Sequence, residues 1–181
     1  MKKIALTIWI VLYASFSAIA GSSVWKVETS AGPVTYIGGT CHLLRQSDHP
    51  LPEVYDQAYR NAAALIFETD IGHVQSISFQ QELLRRALYT DGSTLDKVLS
   101  TATYTKLSAA YSKIGVPMAQ LNSFKPFMAL LTLLGVELQK IGVTSEAGVD
   151  LFFYKKAVAD GKHVSGLETT ATQLDFLATM A

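Results

Sequence analysis

The sequence predicts an α/β (α+β) fold: a mixed, partly parallel sheet with an N-terminal hairpin, a βαβ unit and a helical middle section. Three observations predict it. "SVWKVET" and "VTYIG" alternate apolar and polar residues on either side of the turn "SAGP", which reads as a hairpin. "ALIFETD" is a continuous apolar run that ends in charge, the pattern of a buried parallel strand. Between and after these runs lie long stretches with apolar residues three and four apart.

The first twenty residues read as an export signal. Lys2 and Lys3 precede the uncharged run "IALTIWIVLYASF", and Ala18 and Ala20 set a small-residue cleavage site before Gly21. The run is shorter than the roughly 20 apolar residues that a spanning helix needs, so no stable membrane span is expected after cleavage. Residues 21–181 are then one exported domain, periplasmic or extracellular. A single cysteine, Cys41, excludes a disulfide within the chain and is either a small buried apolar residue or a site thiol. Lys+Arg and Asp+Glu both total 15, so there is no basic field to attract nucleic acid.

The loop "GTCHLLRQSDHP" follows the second strand, and Pro52 suits the first turn of a helix through "EVYDQAYRNA" that shows Tyr55, Ala58 and Tyr59 on one face. A strand, this helix and "ALIFETD" make a right-handed βαβ unit, so the strands ending near Gly38 and near Glu68 are expected to be parallel neighbours. "VQSISFQQELLRRALY", "DGSTLDKVL" and "ATYTKLSAAYSKIG" are helical, the last ending at Gly115. "KPFMALLTLLGVELQKIG" is apolar on most faces and is expected to be buried. "TSEAGVDLFFYKKAVADGK" is a loop and a helix ending at Gly161, "HVSGLE" is a short strand, and "TTATQLDFLATM" opens a further helix. The sequence stops inside that helix, which reads as an interrupted domain with an incomplete sheet.

Three expected strands end in chemically useful residues. The first leads through Gly38 and Gly39 to His42, the second ends at Glu68 with Asp70 beyond it, and the third ends at Glu168. Ligands of open α/β sheets bind outside the carboxyl ends of the strands, so a histidine and two carboxylates there suit a divalent metal or acid–base chemistry. The glycines would let the backbone turn sharply and let a ligand approach. Blander roles compete. His42 is equally read as a hydrogen-bonded loop residue, Glu68 as the partner of a Lys or Arg, Glu168 as a charge preceding a helix N-terminus, and Asp150 as an N-cap. Cys41 and His42 are adjacent and would point apart as a nucleophile–base pair. His49, His73 and His163 have no metal-site spacing, and no G-x-S-x-G, phosphate loop or dinucleotide fingerprint is present.

"YIGGTCHLL", with G-x-x-H at Gly39–His42, then "ALIFETD" and "EAGVDLFFYKKAVADGKHVSGLETTATQ", together resemble the TraB/GumN family, related to the Tiki metalloproteases. The resemblance runs from about Trp25 to the end of the sequence. It implies a metal-dependent hydrolase of peptidase type, acting on a peptide or small-molecule substrate with a divalent ion (Zn, Mn or Co). His42 is then a metal ligand, and Glu68 a ligand or the base that activates water. Glu168 and Gln173 match the family's "LE…Q" segment, with Glu168 as a second catalytic carboxylate. Gly148 and Asp150 match its "G-x-D", and join Gly38, Gly39, Asp70 and Gln173 as site support. The family's second G-x-x-H, expected downstream of "LET…Q", does not occur in this sequence. That departure implies a truncated form, inactive or partial. The alternative is a non-catalytic module that binds a peptide or small ligand.

Overall fold

The structure is a computed structural model that describes residues 23–179. The leader expected over residues 1–20 lies outside the described residues, as does Ala181. The described residues fall into two compact units, one of residues 23–39 and 51–61 and one of residues 40–50 and 62–179.

In the first unit, β1 (Val24–Val27) and β2 (Thr35–Gly38) form the expected antiparallel hairpin, with Val24 opposite Gly38 and Val27 opposite Thr35. Helix α1 (Glu53–Asn61) follows Pro52, and of its expected inner face Tyr59 is buried while Tyr55 and Ala58 are half-buried. Tyr55 Oη donates to the Gly39 carbonyl at 2.5 Å and lies 2.5 Å from Ser23 Oγ.

The second unit carries four further strands: β3 (Leu44–Arg45), β4 (Ala64–Thr69), β5 (Val143–Thr144) and β6 (His163–Glu168). β3 pairs antiparallel with β5, and β4 pairs parallel with β6, Leu65 facing Val164 and Thr69 facing Glu168. Small sheets of both kinds, packed with helices and, among the described residues, without a closed barrel, confirm the α/β class. One expected pairing is corrected. Among the described residues β4 takes its hydrogen-bonded parallel partner from β6, not from the strand ending at Gly38, which pairs with β1. Ile66 and Leu167 on this two-stranded sheet stay exposed.

The helical middle follows the sequence closely. After a short helix α2 (Ile71–Val74) that the sequence reading does not include, the hydroxyl of Ser76 accepts from Phe79 N–H and starts α3 (Ile77–Ala87), three residues later than the helix expected from Val74. Then come α4 (Leu95–Val98), α5 (Thr101–Lys113), α6 (Pro126–Lys140), α7 (Val149–Ala159) and α8 (Thr170–Thr179). Gly115 and Gly161, expected helix ends, take φ of +75° and +66°, a region that residues with a Cβ avoid. Fully buried Leu95 and Tyr111 centre a core with Leu121 and Ala129 that ties α4, α5 and α6 together, and Tyr111 Oη donates to the Ala129 carbonyl at 2.5 Å.

Burial of α6 is a second correction. Phe127 and Ala129 are buried, but Leu130, Leu131 and Leu134 are exposed, because the core holds only the side of the helix facing α4 and α5. Among the described residues no helix is long and apolar enough to cross a membrane.

Candidate functional site

The segment carrying His42 is fastened to the start of α7 at several points. Leu44 and Arg45 pair with Thr144 and Val143. The Cys41 carbonyl accepts from Val149 N–H at 2.9 Å, satisfying one of the N–H groups that a helix N-terminus leaves unpaired. His49 Nε2 donates to the buried Ala147 carbonyl at 2.8 Å, and its ring lies against Phe152. Gly148 is the N-cap of α7, and a Cβ on it would collide with the His42 carbonyl. The glycine is what lets the two backbones meet.

His42 is thereby brought to Asp150, whose Oδ2 lies 2.7 Å from Nδ1. Asp150 is buried, in the first turn of α7, where the positive helix end favours a carboxylate. An ionised carboxylate only accepts, so Nδ1 carries the proton of this bond and Nε2 is left for other work. On that side Glu68 Oε2 stands 3.9 Å from Nε2. The His42 and Glu68 side chains are 67% and 60% exposed, so their mutual attraction, even with a charged imidazole, is worth about 1 kcal/mol or less. Asp150, not Glu68, sets the ring.

Glu68 has its own support. Gln173 Nε2 donates to Glu68 Oε1 at 2.9 Å and to Glu168 Oε2 at 2.8 Å, so one amide group joins the carboxylates at the ends of β4 and β6. His42, Glu68, Asp150 and Gln173 line a cavity of about 270 Å³ together with Ile71, Val74 and Leu151.

Of the residues at the expected strand ends, His42 and Glu68 line one cavity, and Glu168 is joined to Glu68 through Gln173; Asp150 and Gln173, implied as site support by the family resemblance, line the cavity as well. Other residues fall elsewhere. Asp70 caps α2, its Oδ1 accepting from His73 N–H at 2.9 Å, and it is not among the cavity's lining residues. Gly38 and Gly39 make no sharp turn. Gly38 ends β2, and Gly39 N–H continues the hairpin ladder to the Ser23 carbonyl at 2.6 Å. A Cβ on Gly39 would come within 3.1 Å of Ser23, so its small size serves the hairpin. Asp150 is not the N-cap; Gly148 is. Cys41 is exposed, not packed, and its thiol donates to the Leu43 carbonyl at 3.2 Å. Sequence reasoning missed Ile71, Val74 and Leu151; Ile71 and Leu151 follow Asp70 and Asp150 directly, and Val74 lies three residues beyond Ile71 on α2.

For a divalent ion the residues fit in part. His42 Nε2 and Glu68 Oε2 are the nitrogen and oxygen donors such an ion takes, and a ligating imidazole commonly has a carboxylate behind it. Among the described residues, however, no group of three or more His, Cys, Asp or Glu side chains is placed to hold an ion.

Comparison with curated proteins and with solved structures finds no match. The sequence model of the TraB/PrgY/gumN family matches residues 23–181, which include every residue of the site. The chain belongs to the TraB/PrgY/gumN family.

Proposed function

We propose that the chain is an exported, metal-dependent hydrolase of peptidase type, with His42 and Glu68 at its centre. One observation carries this reading: His42 and Glu68 are each held from behind, by Asp150 and Gln173, and turn their remaining nitrogen and oxygen toward each other at 3.9 Å in the cavity. When bound there, a divalent ion (Zn²⁺, Mn²⁺ or Co²⁺) supplies Lewis acidity and a water of lowered pKa. His42 Nε2 and Glu68 Oε2 would hold it. Asp150 keeps the imidazole in one tautomer. In its alternative role Glu68 is not a ligand but the base that takes the proton of the attacking water and passes it to the leaving amine. Gln173 ties Glu68 to Glu168, so the base keeps one orientation through the reaction.

The test is hydrolysis of a mixed quenched-fluorescent peptide pool by the purified protein, with each of the three metals and with a chelator. Metal-dependent cleavage that disappears in His42→Ala supports the reading. Cleavage unchanged by His42→Ala removes His42 from the mechanism.

A second reading, a non-catalytic module that grips a peptide or small ligand, is favoured by the two-donor set among the described residues. It expects peptide binding without turnover under every metal condition.

A further inference from the structure

Apolar Ile71, Val74 and Leu151 line the same cavity as the polar site residues, with Thr69, Gln75 and Ser145 also in its lining. Ile71 and Val74 are three apart on α2 and so share a face. The Asp70 cap fixes the start of that helix, and buried Leu151 follows Asp150 on α7. The three apolar residues are therefore set by two elements, α2 and α7.

We propose that Ile71, Val74 and Leu151 form a subsite for a single aliphatic side chain of a peptide ligand, resting on the reading of His42 and Glu68 as the reacting end. Size supports one residue and no more. A cavity of about 150 Å³ holds a benzene ring, and sites for drug-sized molecules begin near 300 Å³. At about 270 Å³ this one has room for an aliphatic side chain and the peptide groups beside it. Charge rules against an acidic occupant, because two carboxylates, Glu68 and Asp150, line the cavity.

The test is NMR titration of the protein with Ac-Ala-X-Ala-NH₂, where X is Gly, Leu, Lys or Asp, in Zn²⁺ and separately in EDTA. The leucine peptide is expected to bind at least about tenfold more tightly than the glycine peptide, with the aspartate peptide weakest. Val74→Asp should bring leucine and glycine within about twofold, and Val74→Thr, which keeps the shape, serves should the charged variant fail to fold. Equal binding of leucine and glycine, or preference for lysine, overturns the subsite. A leucine preference that persists in EDTA, with no effect of Zn²⁺, leaves the subsite standing and removes the hydrolase. A Zn²⁺ effect without side-chain preference removes the subsite alone.

Discussion

Asp150 Oδ2 lies 2.7 Å from His42 Nδ1, although 108 positions of chain separate the two residues. The bond turns an exposed histidine into an oriented one. Asp150→Asn keeps the shape but replaces a fixed acceptor with an amide that can present either of its ends. We expect the His42 ring to lose its single tautomer near pH 8, read by long-range ¹⁵N–¹H correlation. Retention of the Nδ1–H tautomer in the variant would show that something else orients the ring.

Gly148 tests the fastening of that histidine. In Gly148→Ala the new methyl group meets the His42 carbonyl, so the loop or the helix start must move. Overpacking of this kind costs about 1–3 kcal/mol, to be read from urea denaturation. A loss of that size should come with displaced His42 resonances; a loss below about 0.5 kcal/mol would mean that the two segments are not in contact.

The core between α4, α5 and α6 makes a separate claim. Leu95→Ala should cost about 2–5 kcal/mol, since the side chain is fully buried. Tyr111→Phe removes only the bond to the Ala129 carbonyl and should cost about 0.5–1.5 kcal/mol. The ranking is the check: equal losses would contradict the packing described.

Glu82 links acid stability to α3. Hydrogen bonds from Arg85 and then Arg86 hold its carboxyl at about 2, below the ordinary 4.5. A group whose folded pKa is depressed stabilises the fold fully above its unfolded pKa and loses that contribution as pH falls toward the folded value. The stabilisation is thus complete above about pH 4.5 and is lost between there and about pH 2. Glu82→Gln should flatten the fall in denaturation midpoint across that window, while at pH 7 the midpoint drops slightly. An acid limb unchanged by the substitution would show that the pair does not form.

Much of this architecture is legible locally. Helix ends follow from Gly115 and Gly161, and the runs "ALIFETD" and "HVSGLE" mark β4 and β6, although the burial expected of "ALIFETD" holds only for Phe67. Strand-end logic also joins Glu68 and Glu168, since parallel strands in register end together. What is not legible is non-local. Nothing in β4 itself says that its partner lies 99 positions ahead, as Thr69 and Glu168 do. β3 and β5 are two residues each, too short to show a period. Local rules favour Asp150 as a cap, but the approach of the His42 carbonyl reserves that position for glycine and releases Asp150 to the histidine. The apolar composition of α6 does not reveal that the core holds only one of its sides.

The central claim is that His42 and Glu68 bind a metal together. Calorimetric titration of Zn²⁺, Mn²⁺ and Co²⁺ into the chelator-treated protein tests it most directly. At least one ion should bind at a single saturable site, with affinity reduced at least tenfold in both His42→Ala and Glu68→Gln. Absence of binding by all three ions, or binding that neither substitution weakens, would contradict it.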